Sequence, residues 1–368
     1  MSDALAEASD ALAAWSLQRA TVSPLGTGLI NRTFLVDVES GASPRLGDAG
    51  RAVLQRLNAI FDPRIHENIA AVTRRLGARG QATLSLVETD DGRLWADRGG
   101  VYRLYRHVDG SSFDVVTSFE QARSAGRLVG AFHAALEGLD HGFVGMRQGV
   151  HDTARHLAIL ADAVASHRAH PLHVDVGRLA RTIAMRAAEL PPLPPLALRI
   201  GHGDLKLGNI LFERMSPERA LCLVDLDTVG PIHLGHELGD MWRSWCNRST
   251  EDDDEARLDL DVLGASWNGF VEGLGRRPNA EEVRAALLGL DWIALELSAR
   301  FAADALLECY FGWDPSRFET RGAHNLARAR GQFALFEAAV ACRDERAALL
   351  GSGVAQPPFF FATASRPE

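Results

Sequence analysis

The sequence predicts a two-lobed α+β protein, with a small antiparallel sheet lobe followed by a larger, mainly helical lobe, and three observations carry that expectation. At 368 residues and 39.9 kDa the chain exceeds one ordinary domain, and with 46% hydrophobic and 24% charged residues it holds enough apolar matter for packed cores. Up to about His107, short β-like runs alternate with turn clusters. From about Phe119 the texture changes to long Ala/Leu/Arg segments. The expected division is therefore residues 1–107 and residues 108–368.

The strands are read from alternation: TVSPL, then TFLVDV at Thr33 to Val38, AVLQRL at Ala52 to Leu57, and VYRLYRHV at Val101 to Val108. One helix interrupts them from about Ile65 to Ala78, where Ile65, Ile69, Val72 and Leu76 keep helical spacing after the Asp62-Pro63 start signal. In the second part FEQARSAGRLVGAFHAAL, LDWIALELSARFAADALLECYF and NLARARGQFALFEAAV read as long helices. The cluster from Pro191 to Pro195 is a stiff connector between helical segments. Two short apolar runs follow, ending at Ile200 and Asp225, and are expected to pair as a hairpin framing the segment between them. The acidic run Glu251 to Glu255 reads as a solvated helix start.

Composition excludes several classes. A net charge of −9 and a pI near 5.8 supply no basic footprint for nucleic acid or anionic lipid. Cys222, Cys246, Cys309 and Cys342 lie far apart without a CxxC pair, against a structural zinc site or a disulfide framework, which points to a reducing compartment. The N-terminal MSDALAEASDALAAW has no basic leader followed by a long apolar run, and no uncharged stretch is long enough to span a bilayer, so a cytoplasmic protein is expected. Of 39 basic residues, 38 are arginine and one is lysine, Lys206. A GC-rich genome explains the arginines; a solitary lysine marks a place where arginine does not substitute.

Lys206 stands in the most informative segment, RIGHGDLKLGNILF from Arg199 to Phe212. It reads H-x-D-x-x-x-x-N, beginning at His202. On a tight loop, Asp204 can accept the proton of an attacking hydroxyl, Asn209 can offer an uncharged oxygen to Mg²⁺, and Lys206 can reach a transferring phosphoryl group as a point charge. Downstream, LCLVDLD sets Asp225 at the end of an apolar strand, and such a carboxylate suits a metal that prefers hard oxygen ligands. Singly these are turn and cap residues; in this order they point to phosphoryl transfer.

The chain resembles the kinase-like phosphotransferases, specifically the aminoglycoside phosphotransferase and choline kinase-like superfamily. Further blocks resemble the branch that contains N-acetylhexosamine 1-kinase. They are VLQRLN at Val53, Glu67-Asn68-Ile69, DLDTV at Asp225, Gly239-Asp240 with Arg243, and Arg300-Phe301 with Tyr310-Phe311 and His324-Asn325-Leu326, spanning roughly Gly26 to Leu335. The resemblance implies a protein-kinase-like fold with ATP and Mg²⁺ between the lobes. It also implies Asp204 as catalytic base, Asn209 and Asp225 as metal ligands, and Asp227 as a supporting group or a second metal contact. Asp240 becomes a helix-borne support that hydrogen-bonds the catalytic loop from behind.

Two departures stand out. The strand lysine of kinase-like folds is absent; alternation puts Gln55 where it would point and turns Arg56 the other way unless a bulge intervenes, so Gln55 and then Arg56 are the nucleotide candidates. Glu67 matches the helix glutamate that such a lysine pairs with, or is an exposed acid of a first helical turn. The loop from Leu25 to Thr33 carries Gly26 and Gly28, which fit backbone approach to phosphates, and Asn31. The branch tends to read G-H-I-N-D there, whereas this chain has Leu29 and Arg32. N-acetylglucosamine and N-acetylgalactosamine are therefore expected to be poorer acceptors than some other sugar or small alcohol. His202 is expected to anchor the catalytic loop, and Trp242, Trp245, Trp292 and Trp313 to pack in cores. Arg243 and Arg300 each have two readings open, reaching the acceptor or pairing with an acid such as Asp240 or Asp304.

The expected function is ATP- and Mg²⁺-dependent transfer of the γ-phosphoryl group to a hydroxyl of a small polar metabolite, with a sugar or N-acetylhexosamine at its anomeric position as the leading acceptor. Alternatives are an aminoglycoside, choline or homoserine acceptor, or a silent nucleotide-binding protein. A small-molecule hydroxyl acceptor is the expected partner, without nucleic acid or membrane, in a monomer or homodimer.

Overall fold

Strand alternation builds the first lobe of the protein, which a computed structural model describes over residues 2–26, 30–38, 46, 50–249, 251–253 and 255–352. Strands β1 (Thr21–Pro24), β2 (Arg32–Asp37), β3 (Arg51–Arg56), β4 (Ala96–Asp97) and β5 (Val101–Arg106) form one antiparallel sheet in the order β1-β2-β3-β5-β4. Phe34, Val36, Ala52, Leu54, Tyr102 and Leu104 point to one face, where they pack on Leu12 and Trp15 just after helix α1 (Ser2–Ala11). The α1 helix was not anticipated from the sequence. On the other face Val53 and Tyr105 pack against helix α2 (Ile65–Ala78), whose Ile65, Ile69, Val72 and Leu76 are buried as their spacing requires. The register sets Gln55 of β3 directly opposite Arg103 of β5, and β3 has no bulge.

The second lobe is built from helices α3 (Phe119–Leu136), α4 (Thr153–Ser166), α5 (His173–Glu189), α6 (Leu234–Trp245), α7 (Leu260–Leu274), α8 (Ala280–Leu307), α9 (Arg321–Ala341) and α10 (Arg343–Ser352). Their starts are capped in sequence-legible ways: Ser118 accepts from Gln121 N, Asp259 from Val262 N, and Asn279 with Glu282 forms a capping box on α8. Helices α3 and α7 touch backbone to backbone. A Cβ on Gly269 would lie 1.9 Å from the Arg123 carbonyl oxygen, and one on Gly126 would lie 2.0 Å from that of Ser266. Among the described residues no helix is long and apolar enough to cross a membrane.

Between the lobes the chain makes two small ribbons, and here the structure corrects the hairpin expectation. Strand β6 (Arg199–Gly201) pairs with β9 (Gly230–Ile232), while β7 (Ile210–Glu213) pairs with β8 (Ser216–Leu223). The apolar runs ending at Ile200 and Asp225 therefore do not pair with each other. The tight turn after Glu213 lets β8 fold back on its nearest neighbour, which costs less loop entropy than closing over the whole catalytic segment. The acidic run is also not a helix start. Its described residues, Glu251 to Asp253 and Glu255, lie in a turn and loop before α7, in which Glu251 meets Arg243 and Arg328, and the Asp252 side chain, 3% exposed, meets Arg317 and His324; Asp254 lies outside the described residues. An arginine-rich face on α9 and the preceding loop explains why Asp252 folds inward, while Glu251 stays 40% exposed and Asp253 and Glu255 remain at the surface.

Candidate active site

The segment after β6 is held from behind by helix α6. The carboxylate of Glu237, buried to 1% exposure, accepts from the backbone N–H groups of His202 (2.7 Å) and Gly203 (2.9 Å). His202 is buried, and its Nε2 meets the Val224 carbonyl at 2.8 Å while its own carbonyl accepts from Thr228 Oγ1 at 2.8 Å. Gly203 has φ of 79°. A Cβ there would lie 2.8 Å from the Thr228 carbonyl oxygen, so only glycine fits this close approach. Trp245 Nε1 donates to the Leu205 carbonyl and Ser244 Oγ accepts from Leu207 N. The support assigned to Asp240 thus belongs to Glu237, one helical turn earlier. Asp240 instead pairs with Arg243 at 2.9 Å.

On the front of the loop, Asp204 Oδ2 accepts from Lys206 Nζ at 3.0 Å and from Asn209 Nδ2 at 3.0 Å. Asn209 Nδ2 also donates to the Asp204 carbonyl at 2.8 Å, so both bonds use the amide nitrogen and turn the side-chain oxygen the other way. The side chains of Lys206 and Asp204 stay 45% and 33% exposed, as groups that meet a ligand must. Burial pushes the Asp204 carboxyl up, but the Lys206 charge and its hydrogen bond, with His202 and Arg243, outweigh it and hold it below its ordinary value. Burial lowers Lys206, and Asp204, Asp225 and Asp240 more than reverse that, leaving the ammonium held above its usual value. Asp225 moves the opposite way from Asp204: burial first, then the charges of Asp227 and Asp204, raise its carboxyl. Its backbone is left-handed, with φ 60° and ψ 55°, just before a 3-10 turn over Leu226–Thr228. Val224 N donates to the Asn209 carbonyl, which brings the two expected metal ligands side by side.

The sheet side meets this cluster through Asp227. Its Oδ1 accepts from Arg103 Nη1 and its Oδ2 from Asn31 Nδ2 at 2.7 Å. Asn31 Oδ1 in turn accepts from Asn58 N at 2.9 Å, so the loop end, the VLQRLN block and the DLDTV block converge on one carboxylate. Gln55 sits beside them, its Oε1 accepting from Arg103 Nε at 3.0 Å and its Nε2 donating to Thr33 Oγ1 at 3.0 Å. Arg103 was missed. The available signal was a charged residue at an inward position of VYRLYR, across from Gln55.

Other candidates lie elsewhere. Arg56 turns to the α1 side of the sheet, where it pairs with Glu7 at 2.6 Å, donates to the Gly99 carbonyl and covers the Tyr102 ring. With β3 unbulged, alternation takes it away from Gln55 and out of the cluster. Glu67 is exposed in the first turn of α2. Gly26 has φ of 72° with open space around a would-be Cβ; Gly28 and Leu29 lie outside the described residues. Arg243 resolves toward pairing with an acid, Asp240, and also reaches Glu251 at 3.4 Å. Arg300 stacks on Phe311 at 5.7 Å. Asp304 is occupied otherwise: it accepts from the backbone N–H groups of Cys309, Tyr310 and Phe311 and from Asn325 Nδ2. A surface cavity of about 650 Å³ between Leu172, Asp175, Arg317 and Arg330 contains none of these residues.

The donor set suits a hard dication shared with a ligand. Among the described residues no three His, Cys, Asp or Glu side chains form a metal cage by themselves, whereas Mg²⁺ is ordinarily held by one or two carboxylates with phosphate oxygens and water. A carboxylate raised by burial and then by like charges, beside an amide oxygen, fits that pattern, because a cation would favour its ionised form and relieve the repulsion.

The phosphotransferase enzyme family matches residues 21–270. Among solved structures, a microcompartment-associated aminopropanol kinase is similar at TM-score 0.58 and 18% identity, over 92% of this chain and 98% of that one. A choline kinase from Cryptosporidium parvum is similar at TM-score 0.54 and 10% identity, over 95% of this chain and 98% of that one. An amicoumacin kinase in complex with AMP-PNP, Ca²⁺ and its antibiotic is similar at TM-score 0.53 and 14% identity, over 84% of this chain and 86% of that one. The chain belongs to the phosphotransferase enzyme family and has the two-lobed kinase-like fold.

Proposed function

We propose that this phosphotransferase is an ATP- and Mg²⁺-dependent small-molecule kinase that phosphorylates a hydroxyl of a sugar or related polyol, with the anomeric hydroxyl as the leading position. The observation that carries the reading is the geometry of one short loop: Asp204 Oδ2 accepts from Lys206 Nζ and from Asn209 Nδ2 at 3.0 Å each, and the bond from Val224 N to the Asn209 carbonyl sets Asp225 beside them.

In this reading Asp204 orients the acceptor hydroxyl and takes its proton as the oxygen bonds to the γ-phosphorus and the bond to the leaving ADP oxygen breaks. Lys206 keeps Asp204 ionised and presents its ammonium to the transferring group. Asn209 and Asp225 would hold the metal, and Asn209 also fixes the Asp204 carboxylate through its amide nitrogen. Bound there, Mg²⁺ supplies charge neutralisation and alignment of the phosphate oxygens. Gln55 and Gly26 are assigned to the nucleotide side. The acceptor side runs from Asp204 toward Arg243. Glu251, the acid of the acidic run that meets Arg243, is shared between Arg243 and Arg328, which supports a neutral or anionic acceptor over choline or an aminoglycoside.

The test is Mg²⁺-dependent ADP release over a panel of sugars, polyols, aminoglycosides, choline and homoserine, with the product's phosphate position read by ³¹P NMR. A sugar phosphorylated at its anomeric hydroxyl is expected. A preference for a cationic acceptor would reject the substrate assignment, and nucleotide binding without turnover on any acceptor would reject the catalytic one.

A further inference from the structure

The pair between Arg103 and Asp227 is almost wholly withdrawn from water, at 0% and 3% side-chain exposure, and it joins the sheet of one lobe to the metal-side loop of the other. Both charges need this contact, because neither has solvent to fall back on. Gln55 aims the guanidinium from the neighbouring strand, and Tyr105 lies under it at 5.2 Å. Arg103 Nη2 is buried with no hydrogen-bond partner among the described residues, so the fold keeps this arginine at a cost it does not recover locally. Two residues before Asp227 stands Asp225, in a left-handed conformation that L residues rarely adopt. Three contacts enforce it. Val224 N to the Asn209 carbonyl and Thr228 Oγ1 to the His202 carbonyl come from the same lobe. The third, at Asp227, comes from Arg103 and Asn31 of the sheet lobe.

We propose that Arg103 is a positioning residue: through Asp227 it latches the loop carrying Asp225 to the sheet, so that the metal-binding carboxylate is aimed only while the two lobes are docked. Without the guanidinium, Asp227 loses its charged tie to the sheet, and the turn carrying Asp225 is held chiefly by its same-lobe contacts. The inference rests on the reading of Asp225 as a metal ligand.

Calorimetry tests it by comparing ATP affinity in EDTA with affinity in Mg²⁺. In the double variant Arg103→Met/Asp227→Asn neither charge is left buried alone. It should keep metal-free ATP affinity within about threefold while losing on the order of tenfold or more of the gain that Mg²⁺ confers, the usual scale for groups that orient a metal ligand. An undiminished gain, or equal losses in EDTA and Mg²⁺, would overturn the proposal, the second outcome meaning a merely structural pair. If the double variant lacks a cooperative unfolding transition, Gln55→Ala serves instead. It leaves both charges and unfixes the guanidinium, and the Mg²⁺ gain should fall by about threefold or more; an unchanged gain overturns the proposal. If the unaltered protein gains nothing from Mg²⁺, the metal reading of Asp225 fails and takes this inference with it. A gain that survives in the variants sinks this inference alone.

Discussion

Glu237→Gln should loosen the catalytic loop without touching a reacting atom. The glutamate presents two carboxylate oxygens to two backbone donors, His202 N at 2.7 Å and Gly203 N at 2.9 Å, in a site with 1% exposure. Glutamine keeps the shape but replaces one acceptor with an amide NH₂, so one buried N–H faces another donor. An unsatisfied buried group costs about 1–3 kcal/mol, and the surviving bond loses its charge assistance, giving about 2–4 kcal/mol in all. There is no room to relax: a Cβ on Gly201 would already lie 2.8 Å from this carboxylate. Urea unfolding at neutral pH measures the loss. The pH dependence has a definite sign. Burial raises the Glu237 carboxyl, but His133, His202 and the backbone bond bring it below the ordinary glutamate value. A depressed carboxylate contributes stability that is present above its unfolded pKa and lost as pH falls through its folded pKa, so the difference between the two proteins should be full at pH 7 and shrink below about 4.5. Turnover should fall with the loop's geometry while nucleotide KM moves little. Asp240→Asn, one turn along α6, should leave loop stability near that of the unaltered protein. A Glu237→Gln protein within about 0.5 kcal/mol of the unaltered one and fully active would refute the support role.

Asp204→Asn should remain folded and bind ATP while losing phosphoryl transfer by on the order of a hundredfold or more, as judged by ADP release. Asp225→Asn removes a carboxylate crowded by Asp204 and Asp227 and places at φ 60° a residue that tolerates the left-handed region, so thermal melting in EDTA should show equal or higher stability together with lost Mg²⁺ dependence of ATP binding. A marked drop in melting temperature would contradict the crowding. Lys206 is the only side-chain amine, and its raised pKa and bond to Asp204 should make it slow to react with an amine-selective reagent, slower still with Mg·ATP present; peptide mapping reads both. Equal labelling with and without nucleotide, together with a fully active Lys206→Arg enzyme, would leave codon bias as its explanation. Gly269→Ala would drive a Cβ to 1.9 Å from the Arg123 carbonyl oxygen, and the helix separation this forces should cost on the order of 1–3 kcal/mol in urea unfolding, with little change in KM.

The clustering of Asp204, Lys206 and Asn209 was legible in the sequence because it is local: the three fall on one short turn, and their hydrogen bonds span two and five positions. Helix α2 was legible for the same reason, since its apolar spacing repeats within its own length. What holds these pieces in place was not. Glu237 and Asp240 both offer a carboxylate on α6, and only the depth and rotation of that helix against β6 decide that the first reaches the loop backbone while the second turns to Arg243. Alternation says that Arg103 points inward, but its acid lies 124 positions away and is chosen by how the lobes dock. The acidic run is largely solvated, as its charge suggests, but the fold buries Asp252 against Arg317 and His324, a pairing no local pattern announces. Periodicity and spacing report interactions within a few residues, whereas a buried charge is matched by whatever partner the packed chain brings to it, and that pairing exists only in the tertiary structure.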